Sequence, residues 1–113
     1  MINIIFSQEY KNHDTGNHPE SIERIKVVNN LIKEEYSKHK HIEPTIADKK
    51  IISLVHDLEY VNKIYDSIPN SGFTYFDPDT IASPNSLKSY LLAVGGSVDA
   101  VKYILDNKNK GVF

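Results

Sequence analysis

Two histidines and an aspartate, His13, Asp14 and His18, lie close together near the start of the sequence. Imidazole and carboxylate groups are competent zinc ligands, so a metal site is the first chemistry to consider. The three residues follow no helical or strand spacing that would turn their side chains towards one point. The chain has no cysteine, which excludes thiolate ligands and disulfides. We therefore expect no metal site within this chain.

A second polar group, Asp77-Pro78-Asp79-Thr80, follows three aromatic residues, Phe73, Tyr75 and Phe76. Aspartate beside proline is typical of a tight turn, because its carboxylate accepts hydrogen bonds from nearby backbone N–H groups. The surrounding segment, residues 69–83, is rich in turn-forming residues and is expected to be a loop. Its aromatic side chains could line a substrate tunnel or pin the loop to the core, and the sequence does not separate the two.

The elements that must position these residues begin with a strand. Residues 2–6 are mostly β-branched or aromatic, which predicts a short strand, and the polar residues 7–18 predict a loop. Pro19 suits the first turn of a helix, and Glu20 and Glu23 place negative charge at its N-terminus. Apolar residues then recur at helical spacing to about residue 37.

Two further helical regions follow. Residues 47–68 predict helix with a break near His56-Asp57, where Asp57 is suited to cap the second piece. Ser83-Pro84 predicts the start of the last helix, with Ser83 as N-cap and Pro84 at its first position. Within that helix, each glycine of Gly95-Gly96 costs about 1 kcal/mol relative to alanine. The cost favours a close approach of another backbone there, with a kink as the alternative.

The last residues point to a repeating helix and strand order. After a polar turn over residues 107–110, Gly111-Val112-Phe113 has the composition of a strand that has just begun. A helix, loop and strand order that stops there is typical of an α/β protein cut short. We therefore expect residues 1–113 to form a single partial domain.

The composition argues against several classes of partner. The 113 residues carry a formal net charge of −2, and no basic stripe is present, so we expect no nucleic acid partner. No stretch approaches the ~20 apolar residues of a membrane span. Residues 1–6 are too short and lack the basic residues of a secretory signal. We expect a cytoplasmic protein without membrane contact.

Four motifs occur in order along nearly the whole chain. They are His18-Pro19-Glu20 with Arg24, Val55-His56-Asp57-Leu58-Glu59-Tyr60-Val61, Asp77-Pro78-Asp79-Thr80 with Ser83-Pro84 and Ser86, and Gly95-Gly96. This series resembles the N-terminal third of the histone deacetylase superfamily, which includes acetylpolyamine amidohydrolases and acetoin-utilisation proteins. Any one motif is weak, and the specificity comes from the four in sequence.

The resemblance implies an arginase-like, three-layer α/β fold, in which helices sandwich a parallel sheet and zinc lies at the carboxyl ends of the strands. It also implies hydrolysis of an acetyl-amide, on an acetylated lysine or an acetylated polyamine. In that chemistry zinc polarises the carbonyl, a bound water attacks, and paired histidines manage the protons.

The resemblance also assigns roles to three residues. Asp79 matches an aspartate at the active-site rim, whose carboxylate accepts hydrogen bonds from the substrate backbone, whereas Asp77 is expected to serve the turn. Arg24 matches an arginine beneath the active site, with a structural role or a role in product egress; a surface arginine is the alternative. His18 is expected beside the pocket, with a capping or packing histidine as the alternative.

The sequence departs from the family pattern at the catalytic residues. The paired histidines after a glycine and the Asp-x-His zinc ligands do not occur in it. The resemblance therefore implies that these groups lie downstream of Phe113 and that the chain alone binds no zinc and is inactive. A non-catalytic interaction module of the same descent and a subunit completed by a second chain are the alternatives. Uncovered apolar faces on residues 2–6 and on the long helix would favour self-association.

Overall fold

The first strand of the chain is the middle strand of a small parallel sheet. The computed structural model describes residues 2–108 and 110–113. In it, β1 (Asn3–Ile5) pairs in parallel with β2 (Lys40–Ile42), in the register Asn3↔Lys40 to Ile5↔Ile42. The strand predicted over residues 2–6 is confirmed. The sequence does not predict β2, because only one of its three residues is apolar.

The C-terminal residues pair with the other side of β1. Val112 bridges Asn3 in parallel, Phe113 N donates to Asn3 O at 2.8 Å, and Ile5 N donates to Phe113 O at 2.8 Å. The beginning of a strand is predicted for Gly111-Val112-Phe113, and the structure has one isolated parallel bridge there, at Val112. Of the polar turn predicted before it, Asn109 lies outside the described residues.

The segment between β1 and the first long helix is more ordered than a loop. Gln8–Asn12 forms a 3₁₀ helix whose N-cap, Ser7, accepts from Glu9 N at 3.2 Å. Helix α1 (Ile22–Glu35) begins after Ser21, so the predicted start at Pro19 is wrong. The reason lies at the Glu20 carbonyl, which would accept from Arg24 N in a helix that began at Pro19. This carbonyl instead accepts from Thr15 Oγ1, and Arg24 N donates to Ser21 O at 3.1 Å.

The helical region that follows is divided as the sequence predicts. Helix α2 (Lys49–Ile52) is capped by Asp48, whose Oδ1 accepts from Ile51 N at 2.9 Å. Turns follow, and α3 (Leu58–Asp66) begins after Asp57. The break at His56-Asp57 is confirmed, although the first piece is a single turn.

The segment predicted as a loop contains a hairpin, so this prediction is wrong in part. Strands β3 (Thr74–Asp77) and β4 (Thr80–Ala82) pair antiparallel, with Tyr75↔Ile81 and Asp77↔Thr80. Phe76 is the extra residue where the register shifts. The aromatic and β-branched residues of β3 have high strand propensity, and this propensity prevails over the flanking turn formers.

Helix α4 (Ser86–Asp106) is the longest element and continues through Gly95-Gly96. Its N-cap is Asn85, so the predicted start at Ser83 is wrong. Ser83, in the turn before the helix, is instead paired with Ser86, the first helical residue: Ser83 N donates to Ser86 Oγ at 2.7 Å, and Ser86 N donates to Ser83 O at 3.0 Å. None of the helices in the described ranges has the length and apolar content needed to cross a membrane.

The core is small and draws on most elements. The most buried apolar side chains are Ile4, Ile32, Ala47, Val61, Ile81, Ala82 and Leu92. The uncovered apolar face predicted for residues 2–6 is wrong: Ile4 is 2% exposed, and Ile5 packs against α4, where its Cγ2 would be 3.4 Å from a Cβ at Gly96. The prediction is confirmed on the last turns of α4, where Val101 is 60% and Leu105 71% exposed.

Candidate functional site

The fold brings two of the predicted site residues together, His18 before α1 and Asp79 in the turn between β3 and β4. The Nε2 atom of His18 lies 2.7 Å from Asp79 Oδ1. On the other side of the ring, Nδ1 accepts from Glu20 N at 3.0 Å. The His18 side chain is only 12% exposed, whereas that of Asp79 is 91% exposed. A buried imidazole therefore contacts a carboxylate that faces solvent.

Asp77 holds the turn that carries Asp79. Its Oδ1 accepts from Asp79 N at 2.7 Å, and its Oδ2 accepts from Thr80 Oγ1 at 3.0 Å. The hydrogen bond from the Asp79 N–H, followed by that from Thr80, lowers the pKa of the Asp77 carboxyl below its ordinary value of 3.8. The turn role predicted for Asp77 is confirmed.

His18 and Asp79 border a cavity of about 300 Å³. Its lining includes three aromatic side chains, Tyr60, Phe76 and Tyr90, together with the carboxylate of Glu20. The aromatic residues of the hairpin segment are thus divided. Phe76 lines the cavity, whereas Phe73 and Tyr75 are 41% and 64% exposed and pair with each other, with ring centroids 6.5 Å apart.

His13 forms a second buried polar cluster next to this cavity. Its Nδ1 lies 2.7 Å from Ser86 Oγ, which is within 3.1 Å of Ser83 Oγ. The His13 ring also makes an edge contact with Tyr90, with centroids 5.1 Å apart. Burial lowers the pKa of His13 below its ordinary value of 6.5, and the nearby carboxylates of Glu20 and Asp14 oppose that shift. The sequence gives no sign of this cluster, since its halves are 73 positions apart.

Arg24 lies apart from the His18 and Asp79 pair. It is on the exposed side of the first turn of α1 and lines a separate cavity of about 410 Å³, together with Tyr10, Ser89 and Tyr90. His13, Glu20 and Tyr90 line both cavities and therefore stand between them. The sequence placed Arg24 and His18 in one region, and the structure assigns them to neighbouring cavities.

The side chains in the described part of the chain do not fit a zinc site. Within residues 2–108 and 110–113, no three His, Cys, Asp or Glu side chains are grouped so that they could hold a metal ion. His13 is directed to Ser86, and His18 to Asp79. Their rings are thus engaged with separate partners.

Comparison with solved structures identifies the fold. The crystal structure of the HDA15 HD domain matches with a TM-score of 0.85 and 20% identity, over 98% of this chain and 34% of that chain. The mixed architecture with a parallel sheet is therefore a part of a deacetylase-like α/β fold, as the sequence predicts.

Comparison of sequences identifies the family. The model of the histone deacetylase domain matches residues 18–113, and the chain belongs to this family. A protein of Synechocystis sp. (strain ATCC 27184 / PCC 6803 / Kazusa), the uncharacterized protein slr0245, is 30% identical over 119 residues, which cover 100% of this chain and 38% of that protein. The chain thus spans little more than a third of the length of each of these two proteins.

Proposed function

We propose that this chain forms the N-terminal part of a zinc-dependent deacetylase that hydrolyses the acetyl-amide bond of an acetylated lysine or polyamine. Membership of the histone deacetylase domain family supports the reaction type. The observation that carries the assignment of a site is the contact between His18 and Asp79, at 2.7 Å, beside an aromatic-lined cavity.

In this proposal Asp79 binds substrate. Its carboxylate is 91% exposed on a turn fixed by Asp77, so it can accept hydrogen bonds from amide N–H groups of an extended substrate. Phe76 and Tyr60 offer apolar surface beside it for the aliphatic part of an acylated amine. His18 and Arg24 support the site from the two neighbouring cavities.

The metal chemistry belongs to the complete deacetylase. Zinc, when bound, would polarise the carbonyl of the substrate and activate a water molecule. The residues described here offer no ligand set for it, so in this proposal the 113 residues are one part of a larger catalytic domain. They bind and orient the substrate, and they do not carry out hydrolysis alone.

The test compares zinc content and deacetylase activity of the 113-residue chain with those of a polypeptide extended to the full reading frame. We expect stoichiometric zinc and cleavage of an acetyl-lysine or acetyl-polyamine substrate only in the extended protein. In that protein Asp79→Ala should raise KM about tenfold or more, as expected for the loss of a charged acceptor. Asp66→Ala, at another exposed carboxylate, should not. Turnover by the short chain, or equal KM in both variants, would contradict the proposal.

A second candidate is a subunit whose active site is completed by another polypeptide. Val101 and Leu105, one turn apart on α4, are 60% and 71% exposed, which favours a face that packs against further protein. Activity that requires addition of a separately encoded chain would support this candidate. Inactivity of every combination would favour a non-catalytic interaction module.

A further inference from the structure

We infer that His18 is a positioning residue, which holds the Asp79 carboxylate in the orientation that binds substrate. This inference rests on the proposed function of Asp79. His18 is inferred to act through Asp79, because the side chain of His18 is only 12% exposed whereas that of Asp79 is 91% exposed.

The hydrogen bonds of the imidazole fix which nitrogen carries the proton. Nδ1 faces the backbone N–H of Glu20 at 3.0 Å, and a backbone N–H can only donate. Nδ1 must therefore be the unprotonated acceptor, which leaves the proton on Nε2. Nε2–H then donates to Asp79 Oδ1 at 2.7 Å, a charge-assisted hydrogen bond.

Asp79 is held at two points by two different residues. Asp77 fixes its backbone through the Asp79 N–H, at 2.7 Å, and His18 fixes its side chain. An exposed carboxylate without the second contact would sample several rotamers and would lose that freedom when substrate binds. The contact with His18 restricts the carboxylate before substrate binds and so removes this cost. Loss of the contact should therefore weaken substrate binding more than it slows the reaction of the bound substrate.

The contact also selects the oxygen that is offered to substrate. Oδ1 is engaged by His18, whereas Oδ2 has no hydrogen-bond partner among the described residues. We therefore assign Oδ2 as the main acceptor for a substrate N–H. If His18 only tethered the loop before α1 to the hairpin, it would not select one Asp79 oxygen for the substrate. The effect of losing His18 would then not depend on Asp79.

Two substitutions separate positioning from tethering in the extended, active protein. In His18→Asn the amide oxygen occupies the place of Nδ1, so it keeps the Glu20 N–H contact but cannot reach Asp79. In His18→Gln the amide nitrogen lies at the distance of Nε2 and can donate to Asp79. We expect His18→Asn to raise KM roughly tenfold with kcat changed less than about threefold, the scale of one charge-assisted hydrogen bond. The KM of His18→Gln should be close to that of the unsubstituted protein.

The same substitutions in an Asp79→Ala background complete the test. If His18 acts through Asp79, His18→Asn should add nothing to the KM of Asp79→Ala. Additive effects, or a KM unchanged by His18→Asn in an active protein, would overturn the inference and leave the proposed function standing. If the unmodified extended protein cleaves no acetyl-amide, the proposed function is wrong and the inference falls with it.

Discussion

The α-carbon of Gly95 lies so close to the carbonyl of Thr45 that a Cβ at Gly95 would be 1.7 Å from the Thr45 oxygen. The backbone after β2 thus rests directly on the middle of α4. The same segment is held there by Ala47 N, which donates to Leu91 O at 3.0 Å. The close approach predicted from the two glycines is confirmed, and α4 passes through them as continuous helix.

We expect Gly95→Ala to destabilise the protein strongly. In an exposed helix the same change would be favourable by about 1 kcal/mol. Here the methyl group would meet backbone, so the segment at Thr45 would have to move, at a cost of about 3 kcal/mol. Urea unfolding followed by circular dichroism measures the difference.

Gly96→Ala is the matched control. A Cβ at Gly96 would lie 3.2 Å from Pro44 Cβ and 3.4 Å from Ile5 Cγ2, contacts that displacements of a few tenths of an ångström relieve. We expect a change below about 1 kcal/mol, because improved helix propensity offsets the crowding. Equal destabilisation by the two substitutions would show that the contact with Thr45 is not the cause.

Asp99 should anchor the same crossing from the side of α4. Its Oδ2 accepts from Thr45 N at 2.8 Å, and its Oδ1 lies 3.0 Å from Thr45 Oγ1. Asp99→Ala leaves the Thr45 N–H without its acceptor, which we expect to cost about 1 kcal/mol at this accessible position. Asp106→Ala, on the same helix without such a contact among the described residues, should be neutral in thermal unfolding. A neutral Asp99→Ala would contradict the prediction.

His13 should make the stability depend on pH near neutrality. Burial lowers its pKa in the folded chain, so the unfolded chain binds the proton more readily. The stabilising contribution is therefore present above the unfolded pKa of about 6.5 and is lost as the pH falls towards the lowered folded pKa. We expect the melting temperature to fall when the pH is reduced from 7.5 to 5.5.

The comparison of His13→Asn with His56→Asn tests that origin. Asparagine keeps a polar atom near Ser86 but does not titrate, so the dependence of melting temperature on pH should become shallower. His56 is exposed and lies outside the cluster of His13 with Ser86, so His56→Asn is the matched control. The same slope in both variants would assign the pH dependence to other groups.

Asp77→Ala should loosen the turn that presents Asp79. It removes the acceptors of Asp79 N and Thr80 Oγ1, so hydrogen exchange of the Asp79 amide should accelerate several-fold. Since the pKa of Asp77 is lowered, its contribution is present above 3.8 and is lost as the pH falls through the folded value. Exchange at Asp79 that matches an Asp66→Ala control would refute the assignment.

Local patterns predict the helices and β1, but not β2 or the hairpin of β3 and β4. The apolar spacing of α1 and α4 and the break at His56-Asp57 follow from local sequence, because a helix satisfies its hydrogen bonds internally. The strand β2 has one apolar residue in three, and its identity as a strand depends on β1 as partner. The predicted starts of α1 and α4 differ from the observed ones for local reasons. Thr15 donates to the Glu20 carbonyl before α1, and Ser83 pairs with Ser86 at the start of α4.

The sequence proposes members of the candidate site, which stay predictions, and gives no sign of the contacts between them. Asp79 and His18 emerged from motif resemblance, but their contact joins residues 61 positions apart and has no local signature. The cluster of His13 with Ser86 spans 73 positions and was missed for the same reason. Such contacts depend on how α1, the hairpin and α4 pack against each other. No short segment of the sequence carries a pattern that predicts this packing.

The position of β1 between β2 and Val112 has a consequence for how the chain acquires its structure. Its two partners lie at very different distances along the sequence. The connection from β1 to β2 is the shorter one, so closing it costs less entropy than bringing Asn3 and Val112 together. During synthesis β1 leaves the ribosome well before Gly111-Val112-Phe113, so one of its edges must wait for these residues. That edge is open to wrong pairing until residues 111–113 emerge.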